Sequence, residues 1–204
     1  MPTITNVYLA EVCGNTGMTA EEKNATRTTL AEWFSQICSS TSYSSNVTWV
    51  NFAPAVSPTD LLCYFLPSEL NSLLSLAGAP SNLRESHGKT WISPNGTLSE
   101  VYVARCRQGR YIHWIPQLAF HELMHNKLGL SDADLHSKDG LARIVVRRDG
   151  SVDTNLAPGR SPSSTNLSDM RRALGVARRQ WTGGWAANCA NFSDPLAGAN
   201  LNLG

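Results

Sequence analysis

The most regular stretch of this 204-residue chain is residues 116–129, which read PQLAFHELMHNKLG. Apolar residues fall on nearly every side of a helix drawn through it, and that pattern predicts a helix buried in the protein core. Pro116 suits the first helical position and Gly129 the position just past the end, so one complete helix is predicted. His121 and His125 are four residues apart and therefore lie on one face of that helix, one turn from each other.

This pair of histidines predicts a metal site. Two imidazoles at that spacing can point their nitrogens at one zinc ion, and the intervening Glu122 can reach a water molecule held there. Polar side chains on a buried helix need polar partners, which a metal would supply. We therefore expect His121 and His125 to be ligands of one catalytic Zn²⁺ ion, with Glu122 as the general base. The competing interpretation is that both histidines bond to carbonyl groups and hold no metal.

A third ligand must come from outside the helix, because catalytic zinc usually has three protein ligands and an open fourth position. Residues 130–136 read LSDADLH and offer Asp132, Asp134 and His136. We favour His136, because a histidine in the loop after Gly129 is a good ligand and a nearby aspartate could orient its other ring nitrogen. Asp132 is the rival third ligand, and Asp134 remains a candidate.

The hydrophobic pattern of the rest of the chain predicts a mixture of strands and helices. The predicted strands are residues 4–12, 47–52, 61–66, 90–93, 98–105 and 143–147. The predicted helices besides the metal helix are residues 19–37, 68–76 and 166–181. A capping box of Thr19 and Glu22 begins the first, and a cap that starts at Asn166 begins the last. An Asn-Gly pair at 95–96 predicts a hairpin between two of the strands. We expect one α+β catalytic domain, residues 1–182, in which a mixed twisted sheet packs on the buried metal-binding helix and a C-terminal helix. An irregular tail, residues 183–204, follows.

Composition excludes several partners. The formal net charge is +1, which gives no global field for nucleic acid, and no stretch approaches the 18 apolar residues of a membrane span. We expect a monomer that binds neither nucleic acid nor membrane. The N-terminus lacks the features of a signal peptide, so we expect a cytosolic protein or one exported by a dedicated route without such a signal. The five cysteines form no CxxC pair, which disfavours a second zinc site.

The HExxH pattern at 121–125, the helix-ending Gly129 and a downstream third ligand together resemble the metzincin clan of zinc metallopeptidases. The clan pattern is HExxHxxGxxH or D, followed by a turn that contains methionine. This chain has one extra residue before the glycine, and residues 140–142, Gly-Leu-Ala, stand where the methionine turn would fall. The resemblance implies a zincin-like fold with a mixed sheet behind the metal helix. It also implies an edge strand that lines the substrate cleft, which we expect at residues 101–104.

The sequence thus predicts a zinc-dependent metallopeptidase that cleaves a protein or peptide substrate, as a secreted or injected effector. Two alternatives stay open. One is a catalytically inactive zincin-fold module with a binding or structural role, which the intact Glu122 disfavours. The other is a zinc amidase that acts on cell-wall peptide.

Overall fold

The central strand of the sheet is β3, Leu61–Leu66, an apolar run in which all residues are buried. Successive side chains of a strand point to opposite faces, and here they enter two different cores. Leu61, Cys63 and Phe65 face the first core, whereas Leu62 and Tyr64 face the second. A continuous apolar run is typical of a parallel strand that is covered on both faces.

The computed structural model describes residues 2–12, 16–50, 55–74, 76–79, 87–108, 114–146, 152–154, 156 and 159–183.

Five strands form the main sheet in the order β2-β1-β3-β5-β4. Their bounds are Thr3–Glu11 for β1, Tyr43–Val50 for β2, Leu61–Leu66 for β3, Gly88–Ser93 for β4 and Gly96–Tyr102 for β5. The first four strands in that order are mutually parallel, and β4 runs antiparallel to β5 at one end of the sheet. Two short strands, β6 at Ile144–Val146 and β7 at Val152–Thr154, form a separate antiparallel pair.

Helices cover the first face of the sheet. Their bounds are Ala20–Cys38 for α1, Val103–Gln108 for α2, Ile115–Leu128 for α3, Asp132–His136 for α4 and Ser164–Arg172 for α5, with single 3-10 turns at Glu69–Asn71 and Gly140–Ala142. Side chains of α1, α3 and α5 share one core with the sheet. The ring of Phe120 on α3 packs edge-on against Trp33 and Phe34 of α1. The described residues therefore form a single α+β domain in which α3 is held between the sheet and α1.

The opposite face of the sheet is covered by irregular chain rather than by a helix. Leu73, Leu74 and Trp181 complete its core. Glu100 of β5, fully buried, accepts hydrogen bonds from the Leu73 amide at 2.6 Å and from the hydroxyls of Ser72 at 2.5 Å and Tyr102 at 2.7 Å. This one carboxylate therefore fixes the covering segment to the sheet.

Several sequence predictions are confirmed. Helix α1 begins with the predicted capping box, in which Thr19 and Glu22 bond each other's backbone amides. Strands β1 and β3 and the 94–95 hairpin turn lie where they were expected. Helix α3 spans the predicted stretch, with Pro116 in its first turn and Gly129 as its cap. Within the described part of the chain, no helix has both the length and the apolar character that crossing a bilayer requires.

Two predicted elements are wrong because long-range contacts override local preference. The described part of residues 68–76 forms no α-helix; Glu69–Asn71 makes a 3-10 turn, because Glu100 binds the Leu73 amide that a helix would use internally. The last helix ends at Arg172 rather than near residue 181. The chain after it returns to the sheet, where the Thr97 amide donates to the Arg179 carbonyl and the Thr97 carbonyl accepts from the Trp181 amide. Residues 184–204 of the predicted tail lie outside the described residues.

The expected substrate-binding edge is also wrong. Residues 101 and 102 belong to β5, which lies between β3 and β4 and is buried throughout. Residues 103 and 104 begin α2. The end strand beside α3 is β4, Gly88–Ser93.

Replacing Glu100 by alanine should lower the free energy of unfolding by about 3 kcal/mol, because the buried Leu73 amide loses its acceptor. Glu100→Gln keeps an acceptor for that amide and should cost less. Burial raises the pKa of Glu100 above its ordinary 4.5, so the folded protein holds this proton more tightly than the unfolded chain. The contribution of Glu100 to stability should therefore fall as pH rises from 4.5 through the folded-state pKa. Urea unfolding at several pH values tests this; an identical pH dependence in wild type and Glu100→Gln would contradict it.

Candidate metal centre

Helix α3 carries two of the three imidazoles of the candidate centre. All of its residues from Gln117 to Lys127 are buried, so the helix cannot rotate its histidines toward solvent without exposing its apolar sides. The helix ends at Gly129, whose φ of 67° lies in the left-handed region that favours glycine. That turn redirects the chain into α4, where Ser131 caps the helix and His136 is its last residue.

The Nε2 atoms of three histidines converge at one point. His121 Nε2 lies 3.2 Å from His125 Nε2 and 3.2 Å from His136 Nε2, and the last two atoms are 3.3 Å apart. His121 and His125 are buried and His136 is half-buried. These three side chains form a group that could hold a metal ion.

The other ring nitrogens determine which tautomer is present. His121 Nδ1 lies 2.8 Å from the carbonyl oxygen of Leu141, and His125 Nδ1 lies 2.9 Å from that of Leu130. A carbonyl only accepts, so each Nδ1 must carry its proton and donate it. The Nε2 atoms of His121 and His125 then present lone pairs to each other. Two lone pairs at 3.2 Å make no hydrogen bond, and a cation between them removes the repulsion.

Burial keeps these imidazoles neutral. It lowers the pKa of His121 to about 3, with a further contribution from the neighbouring His125. Burial also lowers the pKa of His125, and burial together with His125 lowers the pKa of His136. Near neutral pH the three rings are therefore neutral, and neutral imidazole is the form that binds metal.

The spacing of the three nitrogens fits zinc. Ligands bound at about 2.0 Å in a tetrahedral arrangement lie about 3.3 Å from one another, and the observed separations are 3.2 to 3.3 Å. Imidazole is a ligand common to zinc, copper, iron and nickel, so the donor set alone does not select among these metals. Three converging donors, two of them with a second nitrogen anchored by a backbone carbonyl, are nevertheless an arrangement that metal-binding histidines show.

The two aspartates proposed as rivals of His136 do not join the group of three. Asp132 is exposed, and its Oδ1 lies 3.8 Å from His125 Nε2. Its Oδ2 accepts a hydrogen bond of 2.9 Å from Lys89 Nζ. Partial burial acts to raise the pKa of Asp132, but the bond and charge of Lys89 keep it below the usual value. Asp134 is exposed and bonds the Ser131 hydroxyl at the start of α4.

Glu122 follows His121 on α3, and its carboxylate contacts the end strand of the sheet. The Thr90 hydroxyl of β4 lies 2.7 Å from Glu122 Oε2. Gly88 approaches so closely that a Cβ there would come within 2.9 Å of Glu122 Oε1. Burial raises the pKa of Glu122 to about 8, although Thr90 and Lys89 act in the opposite direction. Gly88 therefore leaves room for this carboxylate beside β4, and the Thr90 hydroxyl orients it.

The sequence did not indicate that Asn166 supports the 140–142 turn, whose Leu141 carbonyl bonds His121. Leu141, whose carbonyl accepts from His121, donates its own amide to Asn166 Oδ1 at 2.8 Å. Asn166 Nδ2 donates in turn to the carbonyl of Asp139 at 2.9 Å. Asn166 was predicted only as a helix cap and lies at the third position of α5, where it also bonds Ser163. No local signal could show that its side chain also reaches the 140–142 turn.

Of the two remaining histidines, only His87 lies among the described residues, and it is not in the group. Its carbonyl, just before β4, accepts a backbone hydrogen bond from the Tyr102 amide. His113 lies outside the described residues. No protein-family model matches the chain, and comparisons with curated proteins and with solved structures find no match either.

Metal content should separate the candidate ligands. Wild-type protein saturated with zinc and then desalted should hold about one ion per chain, and His136→Ala should lose it because the group is reduced to two imidazoles. Asp132→Ala should retain the ion. His87→Ala removes a histidine outside the group and serves as the matched control. Mass spectrometry of the metal content reads out all four proteins; retention by His136→Ala with loss by Asp132→Ala would reverse the assignment.

Replacing Asn166 by alanine should weaken zinc binding about ten-fold or more, because residues behind metal-ligating histidines typically contribute roughly 10- to 100-fold in affinity. Asn166→Asp keeps the acceptor for Leu141 and should lose less. Chelator competition gives the affinity, and a thermal melt of each variant in its metal-free form reports any general loss of stability. Equal zinc affinity in wild type and Asn166→Ala would show that the 140–142 turn does not depend on Asn166.

Proposed function

We propose that this protein is a zinc-dependent metallopeptidase with a zincin-like fold. One observation carries the proposal: three neutral imidazoles, His121, His125 and His136, converge within 3.3 Å of one another, and Glu122 follows the first of them. A cation bound there would remove the repulsion between the facing lone pairs of His121 and His125. The adjoining carboxylate of Glu122 adds a candidate general base, which a purely structural metal site does not require.

Three protein donors favour a catalytic site over a structural one. Structural zinc sites are closed by four protein ligands, whereas catalytic sites keep one position open. A zinc ion held by the three imidazoles would supply a Lewis acid that polarises a carbonyl group and activates water near neutral pH. The carbonyls of Leu141 and Leu130 orient the rings of His121 and His125 for that task.

Glu122 moves the protons in the proposed reaction. Burial raises the pKa of Glu122 to about 8, and a cation bound at the neighbouring imidazoles would favour its ionised form. The ionised carboxylate would accept a proton from the attacking water and pass it to the departing amine, so that one group acts first as base and then as acid. The hydrogen bond from Thr90 fixes Oε2, which leaves Oε1 as the oxygen that exchanges the proton. Gly88 and the buried surroundings limit the positions that the carboxylate can take.

The position of β4 at the end of the sheet favours a peptide as the class of substrate. It pairs with β5 on one side and is the last strand in the sheet order, so its other side can accept an extended chain by strand addition. The same strand carries Thr90 and Gly88, which contact Glu122. A peptide bound along β4 would therefore pass beside the proposed base. An antiparallel end strand next to an HExxH helix also agrees with the metzincin-like resemblance of the sequence.

Glu122→Gln should reduce peptide cleavage by at least about 100-fold, the usual contribution of a general base, while zinc content stays near one ion per chain. Glu21→Gln changes an exposed glutamate at the start of α1 and is the matched control. Mass spectrometry of a peptide library and of muropeptide fragments, each incubated with zinc-loaded protein, gives both the activity and the substrate class. Full activity in Glu122→Gln would contradict the mechanism. Cleavage of muropeptides alone would favour a cell-wall amidase, and zinc binding without any cleavage would favour an inactive binding module.

A further inference from the structure

An ion pair joins the two walls of the candidate metal centre. Lys89 lies on β4 and Asp132 begins α4, and Lys89 Nζ is 2.9 Å from Asp132 Oδ2. The other oxygen of the same carboxylate, Oδ1, lies 3.8 Å from His125 Nε2. Asp132 thus pairs with Lys89 through one carboxylate oxygen, and its other oxygen lies near a nitrogen of the metal group.

The second distance places one oxygen of Asp132 near a nitrogen of the metal group, although the carboxylate is not itself part of the group of three. The three imidazole nitrogens are 3.2 to 3.3 Å apart, and the carboxylate oxygen is about half an ångström farther from His125 than a ligand would be. Carboxylate oxygen is a good zinc ligand. A rotamer of Asp132 that turns toward the imidazoles would bring a fourth protein donor to the ion and close the position that catalysis needs.

We propose that Lys89 is a positioning residue for the metal centre: by pairing with Asp132, it holds that carboxylate away from the fourth coordination position. The inference rests on the proposed metal site and deepens it, because it assigns the balance between an open and a closed site to one ion pair. Asp132 bound to Lys89 is the open arrangement seen in the structure. Asp132 bound to the ion is the closed one.

The size of the effect follows from the exposure of the pair. The side chains of Lys89 and Asp132 are 33% and 56% exposed, and such a surface pair shifts an equilibrium by no more than about five-fold. Lys89 pairs with Asp132 only in the open arrangement, and it therefore favours the open over the closed arrangement by up to this factor. Losing Lys89 must shift the balance toward the closed arrangement by the same factor.

The test is a double-mutant cycle of wild type, Lys89→Met, Asp132→Asn and the double variant, with Lys89→Arg as the conservative control. Zn²⁺ affinity by chelator competition is the first readout. The visible spectrum of the Co²⁺-loaded protein, which reports coordination number, is the second. We expect Lys89→Met to bind Zn²⁺ more tightly, by up to about five-fold, and to change the Co²⁺ spectrum. Neither change should occur when Lys89→Met is added to Asp132→Asn, and Lys89→Arg should behave as wild type.

The cycle separates this inference from simpler explanations. If Lys89 merely repels the metal ion through its charge, Lys89→Met raises affinity equally with and without Asp132→Asn, and the proposal is overturned. Unchanged affinity and spectrum in Lys89→Met also overturn it. Wild-type protein that binds Zn²⁺ but cleaves no peptide would end the peptidase proposal, while the affinity and spectral readouts would still decide this one. Wild-type protein that binds neither Zn²⁺ nor Co²⁺ overturns both.

Discussion

The convergence of three neutral imidazoles is the constraint on which the arrangement around α3 depends. The Nε2 atoms of His121 and His125 carry lone pairs that face each other, and burial lowers the pKa values of all three rings. Left alone, such a group would turn apart or admit water. It stays together because the rings of His121 and His125 are anchored through their other nitrogens and because α3 is packed on all sides.

The anchors come from the chain that follows α3, so the end of that helix matters as much as its histidines. Gly129 adopts a left-handed conformation, and a Cβ there would meet the Arg178 guanidinium at 2.0 Å. Arg178 donates to the carbonyls of Lys127 and Leu128, which a helix C-terminus leaves without partners. The chain can then turn sharply toward His136. A residue with a side chain at position 129 would disturb the cap, the turn and the third imidazole together.

The features that were predicted correctly from the sequence are those that local chemistry determines. Capping signals located both ends of α3 and the start of α1, and the choice of His136 over Asp132 agrees with the group that the structure brings together. Whether these residues bind zinc and catalyse hydrolysis stays a prediction. The errors concern residues whose partners are distant in sequence: β5 is interior because β4 pairs outside it, and the last helix stops because residues 180 and 181 return to Thr97. The role of Asn166 had no local signal, because its partners lie near residue 140.

The order of these parts along the chain has a consequence for synthesis. The three imidazoles fall within residues 121–136, so bringing them together closes only short loops and loses little chain entropy. All five strands of the main sheet precede them. A nascent chain that has emerged as far as residue 136 therefore already holds the whole sheet and the whole ligand set. Helix α5 follows later and delivers Asn166 to the 140–142 turn, so the last helix of the described residues would stabilise a centre whose ligands are already present.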